Sequence, residues 1–79
     1  MDFKLILTNI AKAIVDEPDA VRVKQLENED ENEIELVLTV AEGDTGMVIG
    51  RHGRIAKAIR QLMKAAAGTS GKHVTVEIK

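Results

Sequence analysis

Several absences limit what this sequence can encode. The 79 residues include no cysteine, so disulfides, a thiolate nucleophile and cysteine metal sites are all excluded. Tryptophan and tyrosine are absent and Phe3 is the single aromatic residue, which excludes binding modes that stack bases on an aromatic platform. No apolar run approaches the roughly 20 residues of a membrane-spanning helix.

Acidic residues are also absent, but only from one long segment. Residues 45–76 contain six basic residues and no acidic one, whereas residues 1–44 contain four basic and twelve acidic residues. The net charge of −2 therefore conceals an acidic half and a basic half. This segregation predicts a dipolar surface on which one face suits an anionic partner.

The size and composition indicate a folded chain with a modest core. With 79 residues and 44% hydrophobic residues, we expect one domain spanning residues 1–79, whose core is marginal in isolation. The N-terminus lacks the pattern of a signal peptide. Together with the absence of cysteine, this leads us to expect a cytoplasmic protein without a membrane segment.

Three helices are predicted from the spacing of apolar residues. The first covers Asp2–Asp16, with Asp2 as its N-cap and Pro18 ending the pattern. A short helix of about two turns fits Gly43–Ile49, although Gly46 weakens it and indicates close packing or a kink. The long helix covers Gly53–Ala67, and its apolar stripe is predicted to consist of Ile55, Ile59, Leu62, Met63 and Ala66.

Strands are predicted where apolar and polar residues alternate, at Ala20–Leu26, Glu33–Val40 and His73–Ile78. The acidic segment 27–32 reads as a solvated hairpin loop, because its spacing does not match a calcium-binding EF-hand. The element order α-β-β-α-α-β favours an α+β fold: a three-stranded mixed sheet with helices on one face.

The most informative stretch is the turn Gly50-Arg51-His52-Gly53. Glycine permits unusual backbone angles and close approach of a ligand. A turn that leads into a helix N-terminus directs N–H groups and the positive end of the helix dipole at an anion such as phosphate. A simpler interpretation is that Gly50 only caps a helix and Gly53 only forms a tight turn. The spacing fits neither a Walker A loop nor a dinucleotide-binding motif.

Basic residues on the long helix are of two kinds. Arg54 and Lys57 lie near the glycine turn and are candidate anion ligands, whereas Arg60 and Lys64 are predicted to belong to a solvated back face. No residue cluster resembles a metal site or a Ser–His–Asp arrangement, so we predict a protein that is not an enzyme and that uses no cofactor or metal.

Residues 48–60, with the sequence VIGRHGRIAKAIR, resemble the signature of KH domains, whose GXXG loop clamps about four nucleotides of a backbone. The predicted element order resembles the type II, prokaryotic arrangement of that fold. The segments 10–18 and 74–78 are similar to those of small stand-alone bacterial KH proteins of the KhpA family. The resemblance extends over the whole chain.

This resemblance implies binding of single-stranded RNA in a groove between the turn, its two flanking helices and a sheet edge. When the binding positions of KH domains are transferred to this sequence, the resemblance implies these RNA-binding residues: Ile49, Gly50, Arg51, His52, Gly53, Arg54 and Lys57. Val48, Ile49 and Ile55 would form an apolar floor or hold the loop. Met47 stands where many members have a basic residue, which implies a weaker grip or an apolar contact.

The family resemblance also implies a role as an RNA chaperone or post-transcriptional regulator, homodimers, and pairing with a larger KH-containing protein, KhpB. Two alternatives remain open at this point. One is an interaction module for which dimerisation or docking is the main activity, since a small core gains from burying surface against another chain. The other is a helix-turn-helix DNA binder that uses the short helix, the turn and the basic helix.

Overall fold

The sheet contains the three predicted strands. In the computed structural model, which describes residues 1–79, β1 (Arg22–Leu26) pairs antiparallel with β2 (Glu33–Thr39), and β2 pairs parallel with β3 (His73–Ile78). The central strand is β2, so β1 and β3 form the two edges. The predicted mixed three-stranded sheet is thereby confirmed.

Only one face of the sheet is covered, and this face forms the core. Alternate residues of β2 are buried on that face, namely Ile34, Leu36 and Leu38. They share one apolar cluster with side chains from the helices, including Leu7, Val48, Ile59 and Met63. Burial of each such side chain stabilises the fold by about 1.5–3 kcal/mol, so this cluster fixes where the helices lie on the sheet.

The first helix, α1, covers Phe3–Ile14, so it begins as the sequence predicts and ends two residues before the predicted Asp16. The Asp2 carboxylate accepts a hydrogen bond from the Leu5 N–H at 3.0 Å, which confirms its N-cap role. Pro18 begins a short 3-10 turn that extends to Ala20, so β1 starts at Arg22 rather than at the predicted Ala20.

The short helix α2 (Thr45–Ile49) begins later than predicted because residues Glu42–Asp44 form a 3-10 turn. Asp44 is only 4% exposed, and its Oδ2 accepts from the Glu17 N–H at 2.9 Å. This carboxylate therefore joins the segment after α1 to the start of α2. A side chain at Gly46 would meet open space, so the expected close packing there is wrong.

Replacing Asp44 by alanine is expected to lower the stability of the fold by about 1–3 kcal/mol, because the Glu17 N–H loses its acceptor in a partly buried position. Thermal denaturation followed by circular dichroism measures the loss. Asp16→Ala is the matched control, since Asp16 is exposed and should change stability by no more than about 0.5 kcal/mol. Equal melting temperatures for the two variants would show that the Asp44 hydrogen bond contributes nothing.

The long helix α3 (Arg54–Gly68) is rotated relative to its predicted orientation. Its buried residues are Ala56, Ile59, Met63 and Ala67. Of the predicted stripe, Ile55 is 39% and Leu62 is 58% exposed. The alanines let α3 approach its neighbours closely, and this packing outweighs the larger apolar side chains. No helix of this protein has both the length and the apolar character required to cross a membrane.

Candidate nucleic-acid interface

The turn between α2 and α3 has an unusual backbone. Gly50 has φ 75° and ψ 173°, His52 has φ 58° and ψ 23°, and Gly53 has φ 73° and ψ 14°. The Gly53 N–H donates to the Gly50 carbonyl at 3.1 Å and closes the loop. Three of four consecutive residues thus have positive φ, in a region where glycine is favoured and histidine is tolerated.

Gly50 is required by its surroundings as well as by its backbone. A Cβ atom at this position would lie 2.8 Å from Ile55 Cβ and would overlap Ile55 Cγ1. The Gly50 N–H also donates to the Gly46 carbonyl at 2.8 Å, so Gly50 ends α2 as the simpler interpretation predicts. Gly50 therefore caps α2 and also allows the loop to pack against Ile55.

The N-terminus of α3 is open towards solvent. Its N-cap, Gly53, has no side chain to accept from the N–H groups of the first turn. The Arg54 N–H donates to the Arg51 carbonyl, and the next N–H groups have no partner within α3. Gly53 in the left-handed region followed by Arg54 in the right-handed region is a backbone pattern that forms anion-binding concavities. The helix dipole adds positive potential at the same place. This end of α3 is therefore suited to an anion.

Four cationic or hydrogen-bond-donating side chains surround this helix end: Arg51, His52, Arg54 and Lys57. All four are exposed, and none contacts a carboxylate; the one contact between a basic and an acidic side chain in the protein joins His73 to Glu33 at 2.8 Å. Their donors are thus available to an external partner. Arginine and lysine hydrogen bonds to phosphate are charge-assisted and roughly twice as strong as neutral ones.

The apolar residues beside the turn differ in accessibility. Val48 is fully buried, so it belongs to the core and cannot form a binding floor. Ile49, at 40% exposed, and Met47, at 38% exposed, present apolar surface next to the turn. Of the three residues that the family resemblance suggests for a floor, only Ile49 and Ile55 are accessible, and Ile55 also packs against Gly50.

Arg60 does not belong to a solvated back face. Its Nε donates to the Val76 carbonyl at 3.1 Å, so the side chain extends from α3 to the free edge of β3. Lys64, one turn further along, is exposed and has no partner in an ion pair. The contact between Arg60 and Val76 was not predicted from the sequence, because it depends on how α3 is rotated about its axis. The regular spacing of Lys57, Arg60 and Lys64 is the signal that could have indicated a basic flank.

The acidic loop between β1 and β2 lies away from the turn. The loop between β1 and β2 is tied to the C-terminal end of α3 by Lys72, whose Nζ donates to the Glu31 carbonyl at 3.2 Å. A helix of the length of α3 spans about 22 Å, so the turn and the acidic loop lie at opposite ends. The largest cavity, of about 500 Å³, adjoins this loop, and acidic residues line it. It would repel an anionic polymer.

A comparison with known families identifies the fold. The family model described as KhpA/KhpB, KH domain, matches residues 4–78. This chain belongs to the KhpA/KhpB KH-domain family. Two relatives, both named RNA-binding protein KhpA, illustrate the similarity. The one from Clostridium acetobutylicum is 52% identical over 75 residues, which are 95% of this chain and 97% of the relative. The one from Bacillus subtilis strain 168 is 44% identical over 73 residues, covering 92% and 88%.

Solved structures agree with the KH assignment. The structure of Era in complex with MgGDPNP and nucleotides 1506–1542 of 16S ribosomal RNA is similar with a TM-score of 0.70 and 22% identity. The similarity covers 96% of this chain and 28% of the Era chain. At this identity it shows the fold alone, and it confirms the predicted α+β, type II KH-like arrangement. Membership of the KhpA/KhpB family confirms the prediction that the chain is not an enzyme.

Proposed function

We propose that this protein binds RNA and grips the backbone of short single strands through the turn at residues 50–53, as an RNA chaperone or post-transcriptional regulator. The observation that carries the proposal is the open N-terminus of α3, surrounded by side chains that have no ionic partner in the protein. The names of the relatives, RNA-binding protein KhpA, support the choice of RNA as the anionic partner.

Each residue of the turn has a role in this proposal. Gly50 and Gly53 allow the RNA backbone to approach, and Arg51 and His52 donate to phosphate oxygens. Arg54 and Lys57 continue the positive potential along the first turns of α3. Ile49 offers an apolar shelf for a base, because the single aromatic side chain of the protein, Phe3, is buried and no base could stack on it.

The proposed path of the RNA runs from the turn along the flank of α3 that faces the edge strand β3. This path leads past Lys57 and Arg60, and it is short because the acidic loop lies at the far end of α3. A footprint of about four nucleotides, as KH domains have, fits between the turn and the acidic loop.

The salt dependence of binding tests the grip on the backbone. A single strand contacted at three to four phosphates should give a log–log slope of about −2 to −3, since each contact contributes about −0.7. Fluorescence anisotropy of a labelled single-stranded RNA over a series of salt concentrations measures this slope. Duplex DNA is the control ligand. Tighter binding of the duplex would favour a helix-turn-helix mode instead, and a flat salt series would contradict backbone binding.

Self-association is a second candidate function, favoured by one observation on α3. Opposite its basic flank, α3 exposes an apolar flank made up of Ile55, Ala58, Leu62 and Ala65. These residues recur at the spacing of one helical face, and Leu62 is 58% exposed. Exposed apolar surface of this kind is typical of contact sites between proteins. We propose that this flank pairs with a second copy of the chain or with a larger KH-containing protein of the KhpB type.

Leu62→Lys is expected to weaken dimers at least tenfold, because two lysines would be buried where two leucines met. Sedimentation equilibrium over a range of protein concentrations measures the dissociation constant. The control is Leu5→Lys, since Leu5 is 54% exposed on the solvent side of α1. A wild-type chain that stays monomeric at all concentrations, with and without RNA, would remove self-association as a function.

A further inference from the structure

The contact between Arg60 and the edge of the sheet has a consequence for base recognition. Arg60 uses its Nε to bind the Val76 carbonyl at 3.1 Å, and its two Nη groups donate to nothing in the protein. No carboxylate pairs with the guanidinium. The side chain is thus anchored at one nitrogen and presents a planar pair of donors at the edge of β3, on the flank of α3 that leads away from the turn.

The edge of β3 offers few other hydrogen-bonding groups at this level. The His73 N–H donates to the carbonyl of Asn32, just before β2, at 2.7 Å, and the Lys79 N–H donates to the carbonyl of Leu38 in β2 at 2.9 Å. In a parallel pair, alternate residues bond to the neighbouring strand, so the backbone groups of Val76 face outward. Arg60 uses the outward Val76 carbonyl as its acceptor. The Val76 N–H and the Nη groups of the guanidinium are therefore left as free donors beside it. The second lone pair of the Val76 carbonyl is the acceptor left at this level, so donors outnumber acceptors there.

We propose that Arg60 is the specificity-determining residue of the RNA site and that it selects guanine. This inference rests on the RNA-binding function proposed above. Guanine presents two adjacent acceptors, O6 and N7, which match a pair of guanidinium donors. Adenine presents no two adjacent acceptors. Cytosine presents O2 and N3 on its Watson–Crick edge, so wild-type protein that bound cytosine more tightly than guanine would contradict the choice of guanine. Arg60 lies seven residues beyond Gly53, or about 10 Å along the helix axis, within reach of a strand held at the turn.

A purely structural role for Arg60 would have different consequences. Charged side chains often cover the edges of sheets and so prevent pairing with other chains. An arginine that only covers the β3 edge would affect stability or self-association. It would not alter the relative affinities for different bases. The ratio of affinities between bases therefore separates the two roles.

The experiment uses short single-stranded RNAs of uridine that carry one guanine, adenine or cytosine at each position in turn. Wild-type protein is expected to bind guanine about tenfold or more tightly than adenine at one position, as a bidentate arginine–guanine pair allows. Replacing that guanine by 7-deazaguanine, which lacks the N7 acceptor, should remove most of the preference. Arg60→Met should abolish it. Arg60→Lys should abolish it as well while keeping the salt slope, because lysine retains the charge but not the planar pair of donors.

Lys64→Met is the matched control, since Lys64 lies on the same flank and has no partner, and it should keep the guanine preference. Equal wild-type affinity for all four bases, with binding still dependent on the turn, would overturn the assignment and leave RNA binding intact. A uniform loss of affinity in Arg60→Met, with the guanine preference unchanged, would overturn it in favour of edge covering. Failure of the wild type to bind any single-stranded RNA would instead refute the proposed function itself.

Discussion

Replacing Arg51 and His52 together by aspartate is expected to abolish detectable binding of short single-stranded RNA. Each lost hydrogen bond to a charged phosphate costs about 1.5–3 kcal/mol. Each new carboxylate also repels the phosphate that the original side chain contacted. A grip that depends on three to four phosphates cannot tolerate the loss of two. Fluorescence anisotropy of a labelled single strand, titrated to the highest practicable protein concentration, measures the effect.

The fold of this double variant should be unchanged. Both side chains are exposed and form no ion pair within the protein. Aspartate is also among the residues most often found in the left-handed region that His52 occupies. The far-UV circular dichroism spectrum and the melting temperature should therefore match the wild type.

Lys4→Asp combined with Lys24→Asp is the matched control, because it changes the net charge by at least as much at exposed positions of α1 and β1, outside the turn and the flank of α3. This control should bind RNA nearly as well as the wild type. Unchanged RNA affinity in a folded Arg51→Asp, His52→Asp variant would refute a phosphate grip at the turn.

The conformation of the turn could be predicted because it depends on local residue types. Glycines at positions 50 and 53 required unusual backbone angles, and the absence of a capping side chain left the N-terminus of α3 open. Two features of the site could not be predicted in this way. Whether Val48 or Ile49 reaches the surface depends on the rotation of α2 against the core, and the Arg60 contact joins residues 16 positions apart.

The same distinction applies to the fold. The strands were predictable because alternation with a period of two leaves little freedom in assigning the buried face, as in β2. The orientation of α3 was not, because a helix with alanines at positions 56 and 67 and large apolar residues at 55 and 62 offers two candidate faces. Close packing selected the face with the small side chains. Asp44 was likewise unpredictable, since its partner is the distant Glu17 N–H.

Gly50→Ala is expected to lower the stability of the protein by about 2–4 kcal/mol, the largest effect of any single glycine substitution in this chain. Backbone angles in the region of φ 75° and ψ 173° are almost restricted to glycine, and they cost other residues about 1–3 kcal/mol. The new methyl group would also displace Ile55, which adds the cost of overpacking. For a chain of this size, the melting temperature should fall by roughly 10–25 °C.

Two other glycines, the N-cap Gly53 and the last residue of α3, Gly68, separate the causes of this effect. Gly53→Ala places a side chain in the left-handed region but into open space, so it should cost only about 1–2 kcal/mol. Gly68→Ala lies within the last turn of α3, also in open space, and should be neutral or stabilise by up to about 1 kcal/mol. Equal melting temperatures for Gly50→Ala and Gly53→Ala would show that contact with Ile55 contributes nothing, and that backbone strain alone determines the need for glycine in this turn.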